Sequence, residues 1–235
     1  MQALQTIVGQ LGQREGRLGG GAFRVTHRFT RPLTRDSFGT PLENAFGLDS
    51  GAQIGLEYRH GIRRGLQAGV HRTSDRTVQF FALQSLRDQR ADGGLGIAAL
   101  ASVDGGNNFR EDYRPAFGLV VSRELGDRGA VYVTPVWVGP AGRATANTRH
   151  AWLVGIGARA RVLRSVYVLA EAAPRLAGDT SGPHQVAFGI EKRTGGHAFQ
   201  LTAANGFATT LGQLARGGIA GGDWYLGFSL SRKFL

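Results

Sequence analysis

The feature that most constrains the fold of this chain is a two-residue period in its hydrophobicity. In the C-terminal segment Asp223–Leu235, large apolar residues alternate with glycine, serine and lysine. A period of two places alternate side chains on opposite faces of a β-sheet. The same pattern recurs along the chain with no long helical segment between its copies. The sequence therefore predicts an all-β fold whose sheet has one apolar and one polar face.

We predict twelve strands of about ten residues, which is the length of a tilted strand that spans a bilayer. Their bounds are Ala22–Arg31, Ala52–His60, Gly65–Thr73, Thr77–Asp88, Leu95–Val103, Tyr113–Glu124, Ala130–Val138, His150–Val162, Ser165–Arg175, His184–Arg193, His197–Asn205 and Trp224–Leu235. Only the strand Thr77–Asp88 is ambiguous in phase, because Phe80 and Phe81 are adjacent.

The connections between these strands alternate between long and short, and only Ser74–Arg76 breaks the alternation. Long loops on one rim and tight turns on the other are typical of bacterial outer-membrane barrels. A closed sheet with an apolar outside and a polar inside is the β-structure that can span a bilayer. Residues 22–235 are therefore predicted to form a single closed antiparallel transmembrane β-barrel, an up-and-down meander with both termini on the short-turn, periplasmic rim. A soluble barrel or sandwich is the alternative.

The N-terminal segment Met1–Gly21 is predicted to be an extension outside the barrel, either a short helix or a disordered remnant. It lacks the apolar core of a signal peptide. An outer-membrane protein needs such a signal, so we expect the sequence to be the mature form or to start too late.

The chain is strongly basic, with a formal net charge of +11, 28 basic residues and no cysteine. Basic chains often bind nucleic acid. Here the cations are spread over nearly every segment and form no basic run, so we predict no nucleic-acid partner.

The sequence contains no motif for a metal, a cofactor or catalysis. None of its six histidines has the close spacing of metal ligands. Strand parity places His27 and His71 on the inward face. Gly155-Ile156-Gly157 lies inside a strand, so it does not predict a dinucleotide loop, and there is no Gly-x-Ser-x-Gly elbow. We therefore expect no metal, no cofactor and no enzymatic activity.

The polar-face parity also predicts which charged side chains point into the lumen. The predicted lumen and selectivity residues are the cations Arg24, Arg28, Arg59, Arg159, Arg161 and Arg193 and the acids Glu57, Glu171 and Glu191, and Lys233 and Glu124 share their parity. Two interpretations stay open. The charges form a salt-bridged plug that keeps a small barrel rigid, or the surplus of cations attracts anions into a water-filled pore.

Several segments resemble an uncharacterised family of bacterial barrels that is known only as a domain of unknown function. The segments that carry the resemblance contain His-Arg-Phe at 27–29, Phe-Gly-Leu-Asp at 46–49, Ala-Glu-Ala-Ala-Pro-Arg at 170–175, Gly-Gly-His-x-Phe-Gln-Leu at 195–201 and Gly-Phe-Ser-Leu-Ser-Arg at 227–232. The resemblance runs from about Phe23 to the C-terminus. It implies an outer-membrane β-barrel and no activity.

We expect a small passive channel that favours anionic solutes, with Arg59, Arg159 and Arg161 as its selectivity residues. The alternative is a closed structural barrel that docks a lipoprotein or an electron-transfer component through the extended loops Pro32–Gly51 and Gly206–Asp223. In either case the expected location is the bacterial outer membrane. The expected partners are the lipid bilayer, lipopolysaccharide, the insertion machinery and a periplasmic or surface protein.

Overall fold

The strands of this protein close into a cylinder around a partly apolar interior. The computed structural model describes residues 19–33, 51–89, 93–140, 150–178, 182–216 and 222–234. Within these ranges the strands are β1 (Gly21–Pro32), β2 (Ala52–Arg63), β3 (Leu66–Thr73), β4 (Val78–Arg87), β5 (Gly96–Gly105), β6 (Glu111–Glu124), β7 (Gly129–Val138), β8 (Ala151–Leu163), β9 (Val166–Ala173), β10 (Arg175–Ala177), β11 (Gln185–Thr194), β12 (His197–Ala204) and β13 (Tyr225–Phe234). The helical segments there are α1 (Gly106–Phe109) and α2 (Leu211–Arg216).

Closure is completed by the pairing of the first strand with the last. β1 and β13 are antiparallel, from Gly21 opposite Phe234 to Arg28 opposite Gly227. The other neighbours follow chain order, with β8 paired to β9 and β9 to β11. The predicted twelve-strand antiparallel meander is therefore confirmed. The one extra strand, β10, pairs with β8 and arises because Pro174 interrupts the predicted strand Ser165–Arg175, since proline has no N–H for the ladder.

The two rims differ as the connection lengths predict. On the short-turn rim, β11 and β12 are joined by Gly195 and Gly196, whose φ angles are 53° and 80°. Two positive φ angles fit a tight two-residue hairpin, which favours glycine. On the opposite rim, which we call the long-loop rim, the turn Ser74–Thr77 is short, as predicted. There α1 forms one left-handed turn, in which Asn107 and Asn108 have positive φ angles.

The outward face of the barrel is apolar. Large side chains such as Leu56, Ile156 and Leu201 are about half exposed, because no described segment covers them. Phe80 points outward and Phe81 inward, which settles the ambiguous phase of β4. The placement of His27 inside was wrong. Its ring stacks on exposed Phe228 with 4.9 Å between centroids, because it has the opposite parity to the inward residues of β1.

The interior is less polar than the alternation predicts, because it holds an apolar core on one side. This core unites residues of β4–β9 with α2 and the segment before it. The loop Gly206–Asp223, which was expected to be an extended surface loop, instead places α2 inside the barrel, where Leu211 and Leu214 are buried. None of the described helices is long and apolar enough to cross a membrane.

Some predictions concern residues outside the described ranges. The possible helix in Met1–Gly21 and nearly all of the loop Pro32–Gly51, including the Phe-Gly-Leu-Asp motif, lie there. The boundary between the extension and the barrel therefore stays a prediction.

Introducing a charged residue on the outward face of the barrel tests whether that face contacts hydrocarbon. Ile156 lies near the middle of β8 and Val162 near its end, and both face outward. An arginine at the bilayer midplane costs about 2–4 kcal/mol, and near the interface only about 0–1 kcal/mol. We expect Ile156→Arg to lower the free energy of unfolding in lipid vesicles by the larger amount and Val162→Arg by the smaller. Equal effects in urea titrations would contradict this membrane placement.

Candidate functional site in the barrel interior

The barrel interior is divided along its axis. We call the part next to the long-loop rim the long-loop half, and the part next to the tight turns the short-turn half. The long-loop half contains α2, packed on Leu100, Val136 and Leu153. The short-turn half carries most of the inward arginines. Any solute that crosses the barrel therefore meets two different environments.

The sequence around α2 specifies a capped helical turn. Thr210 precedes the helix, and its hydroxyl accepts a hydrogen bond from the Gln213 N–H at 3.2 Å. In return, the Gln213 side-chain oxygen accepts from the N–H groups of Thr209 (2.8 Å) and Thr210 (3.2 Å). This reciprocal arrangement is a capping box, which satisfies N–H groups that a helix start leaves without partners. A helix this short needs tertiary contacts as well.

Asp104 supplies the strongest of these contacts. It is buried at the end of β5, where its Oδ2 accepts hydrogen bonds from the Thr210 hydroxyl and from the Gly212 N–H (2.9 Å). Its Oδ1 accepts from the Gln79 amide of β4 at 2.7 Å. A Cβ atom at Gly212 would lie 2.5 Å from Asp104 Oδ2. Position 212 therefore needs glycine for this close approach, and we call these contacts the Asp104 latch.

Two further hydrogen bonds hold the segment that leads into α2 across the lumen. Arg28 of β1 donates to the Gly206 carbonyl at 2.6 Å. Gln185 of β11 donates to the Ala208 carbonyl at 3.2 Å. The segment thus leaves β12, passes beside β1 and β11, and reaches the opposite wall of β5–β8.

The turn after β3 holds α2 from the long-loop rim. The Gln213 amide donates to Asp75 Oδ2 at 2.9 Å. Partial burial would raise the pKa of Asp75, but hydrogen bonds from the Thr73 hydroxyl and from Thr77 (backbone N–H at 3.1 Å) outweigh it and lower that pKa. A carboxyl whose pKa is lower in the folded than in the unfolded state stabilises the fold at pH values above its unfolded-state pKa. This stabilisation is lost as the pH falls through its folded-state pKa. The contact therefore persists at neutral and mildly acidic pH.

The predicted lumen residues nearest β1 form a sealed ion-pair group. Arg59 donates from Nε to Glu57 Oε1 at 2.6 Å, and the two side chains are 3% and 4% exposed. Arg24 lies opposite Glu57 in the register of β1 and β2. The Arg59 guanidinium also lies 4.9 Å from the centre of the Phe81 ring. Burial of these charges is tolerable because they are paired and hydrogen-bonded.

Two other predicted lumen residues, Glu171 and Arg28, are also buried in the interior. The Tyr132 hydroxyl of β7 donates to Glu171 of β9. Tyr132 lies across the wall because its partner on β8 is Gly157, where a Cβ would fall 2.1 Å from the ring. Arg28 is only 1% exposed. Neither the carboxylate nor this guanidinium faces open water.

The remaining predicted residues lie at the short-turn end, where the interior is more accessible. Arg193 donates to Glu191, and its side chain is 24% exposed. Arg159 and Arg193 both lie close to the Tyr167 ring, with guanidinium carbons 5.2 and 5.0 Å from its centre. Arg161 instead pairs at 2.7 Å with Asp127 of the β6–β7 turn.

The nine predicted residues thus fall into separate environments rather than one ring of charges. The sequence reasoning missed Asp104 and Gln213, which hold α2. A signal for α2 was present, because Thr210-Leu211-Gly212-Gln213 matches the Thr-x-x-Gln capping pattern. Nothing in that pattern says that the helix turns inward. Among the described residues no cluster of three or more metal-ligating side chains occurs.

Comparison with known proteins identifies the family. Residues 18–234 match the family described as a membrane-bound β-barrel domain, DUF5777. The chain belongs to this family. Together with its apolar outer wall, this places the protein in the bacterial outer membrane, within the lipid bilayer. No curated protein matches the sequence.

Solved structures share the barrel shape at low sequence identity. The KdgM porin in complex with disordered oligogalacturonate superposes with a TM-score of 0.57 and 10% identity, covering 92% of this chain and 99% of the porin. A second structure of the KdgM porin gives 0.55 and 9%, with the same coverage. A Rhodopseudomonas blastica porin gives 0.41 and 12%, covering 82% of this chain and 58% of that porin. At these identities the likeness concerns the fold alone.

Removal of the Asp104 latch should release α2. Asp104→Ala leaves the Thr210, Gly212 and Gln79 donors without their acceptor, and one buried donor without a partner costs about 1–3 kcal/mol. The native chain has no cysteine, so a Leu214→Cys substitution reports on α2 alone. We expect maleimide to modify that thiol at least about tenfold faster when Asp104→Ala is also present.

Two controls make this measurement specific. Asp127→Ala removes an acid from the other rim and should leave the labelling rate at position 214 unchanged. The second control is Leu176→Cys, because Leu176 is exposed. Its thiol should react rapidly both with and without Asp104→Ala. An unchanged rate at position 214 after Asp104→Ala would show that the latch does not hold α2.

Proposed function

We propose that this protein is a passive outer-membrane channel for small anionic solutes, narrowed by α2 in its long-loop half. The observation that carries the proposal is the excess of arginine over carboxylate in the short-turn half. The inward cations there are Arg24, Arg59, Arg159, Arg161, Arg193 and Lys233, and the carboxylates there are Glu57, Glu124, Glu191 and the rim residue Asp127.

The location of this charge favours anions over cations. A cleft of one charge sign with walls of low dielectric constant concentrates counter-ions at its mouth. Arg161 and Arg193 are partly exposed at the short-turn end, so their field reaches the solution. Rings and patches of arginine or lysine are a usual basis of anion selectivity in pores.

The proposed constriction is α2 with the segment 206–210. This segment crosses the lumen and is held at both walls by side chains of the barrel. A displacement of α2 widens the passage without breaking any hydrogen bond between strands. The Asp104 latch therefore sets how much of the time the channel is wide.

The KdgM porin has a similar barrel shape, and one of its structures was solved with oligogalacturonate. That ligand belongs to that porin. For this chain it suggests a useful class of test solute, since carboxylate-bearing molecules are what an arginine-rich lumen would favour.

A closed structural barrel is the second candidate. It is favoured by the almost complete burial of Arg28, Glu57 and Arg59 and by the filling of the long-loop half by α2. In this case the barrel docks a lipoprotein or an electron-transfer component. Recovery of the barrel alone from native membranes at every detergent strength would count against it. Lipopolysaccharide and the insertion machinery remain predicted partners in both cases.

The anion preference is measurable in planar bilayers. We expect a reversal potential that favours chloride over potassium, and a preference that weakens between about 0.1 M and 1 M salt, as the Debye length falls from about 10 Å to 3 Å. Arg161→Glu should shift the potential toward potassium. Arg123→Glu changes the net charge equally from the outward face and should not. No conductance, or a preference for cations, would refute the channel.

A reversible tether tests the constriction. A Cβ at position 212 would lie 3.1 Å from Asp104 Cγ, so cysteines at both positions fall within bridging range. In the double variant Asp104→Cys/Gly212→Cys we expect low conductance when oxidised and high conductance after reduction, because reduction leaves α2 without latch or bridge. Each single variant should conduct equally with and without reductant. Equal conductance of the oxidised and reduced double variant would exclude α2 as the constriction.

A further inference from the structure

Tyr167 lies at the short-turn end of the lumen with two guanidinium groups beside its ring. It points inward from β9, opposite Arg161 of β8 and Glu191 of β11 in the strand register. The guanidinium carbon of Arg159 is 5.2 Å from the ring centre, and that of Arg193 is 5.0 Å from it. Cations at this distance are attracted by the face of an aromatic ring. Two guanidiniums that repel each other are therefore both attracted to this one ring.

Only one of these charges has a carboxylate in direct contact in the described part of the chain, because Glu124 and Glu191 lie near Arg159 without an ion pair to it. Glu191 Oε1 accepts from Arg193 Nε, and its Oε2 accepts from the Gln200 amide at 2.6 Å. Asp127 is engaged by Arg161 at the rim. The buried Arg159 Nε has no hydrogen-bond partner in the described part of the chain. A buried polar donor of this kind is normally satisfied by water or by a ligand.

Access separates this group from the other lumen arginines. Arg28 and Arg59 are 1% and 3% exposed, whereas the Arg193 side chain is 24% exposed. Arg159 is also partly exposed. A solute at the short-turn mouth can reach Arg159 and Arg193 without displacing α2.

We propose that Arg159, Tyr167 and Arg193 form a binding site for a small oxyanion, a carboxylate or a phosphate. The planar guanidinium fork matches the two oxygens of such groups. An oxyanion bound to Arg159 accepts a hydrogen bond from its Nε–H and offsets the repulsion between the two guanidiniums. Tyr167 positions the guanidiniums and does not itself bind the anion. The site deepens the proposed channel function, since it is where the anion first binds on the short-turn side.

The test uses the full chain in detergent micelles, titrated calorimetrically with succinate or with inorganic phosphate at constant ionic strength. We expect saturable binding of at least one of the two, and binding at least about tenfold weaker in Arg159→Gln. The matched control is Arg123→Gln, which removes one positive charge from the outward face of β6. That variant should bind as the native chain does.

Two further variants guard against misfolding and against a purely electrostatic effect. Arg159→Lys keeps the charge but loses the fork, and we expect its affinity to lie between those of the native chain and Arg159→Gln. Tyr167→Leu leaves the charge unchanged and should weaken binding. Equal affinity of Arg159→Gln and Arg123→Gln, or no saturable binding by the native chain, would overturn the site.

Binding and conduction give separable outcomes. Saturable binding without anion-selective conductance would retain the oxyanion site and remove the channel. Anion-selective conductance without such binding would retain the channel and remove the site. Preference for succinate over phosphate, or the reverse, identifies which oxyanion the guanidinium pair takes.

Discussion

The structure depends on the pairing of each strand of the meander with two neighbours, whereas the short β10 pairs with β8 only. In hydrocarbon an N–H or C=O group without a partner costs several kcal/mol, so a spanning sheet must have no free edge. The pairing of β1 with β13 removes the last edge. Closure then fixes the direction of every side chain, since alternate residues must face lipid or the interior. The apolar outer wall and the charged interior are both consequences of this one constraint.

The interior of this barrel is filled partly by side chains and partly by a connecting segment. Side chains alone do not fill it, and the chain uses part of the β12–β13 connection as well. On the side of β5–β8, apolar side chains meet Leu211 and Leu214, as in the core of a soluble protein. Elsewhere, arginine and glutamate are paired with one another or stacked on aromatic rings. Asp104, near the long-loop end of β5, holds this connection to the wall through Thr210 and Gly212.

Much of the fold could be predicted from the sequence because strand parity is a local property. The strand positions, the inward direction of Arg24 and Glu57 and the short β3–β4 turn all follow from alternation and turn residues. The inward course of α2 could not be predicted, since it depends on Asp104, more than a hundred residues away in sequence. The separation of the lumen charges into a sealed group and an accessible group depends equally on neighbours across strands. The prediction for His27 failed because parity was misapplied, since Arg24 and Arg28 face inward and position 27 therefore faces outward.

The seam between β1 and β13 has a consequence for biogenesis. The two strands that close the cylinder are the first and the last of the barrel, so the seam can form only after β13 has been synthesised. Until then, the free edges of both strands are open to pairing with any other extended chain. Such pairing would prevent the seam from forming. Long-range closure of this kind is also intrinsically slow, since distant segments must meet before most contacts are gained.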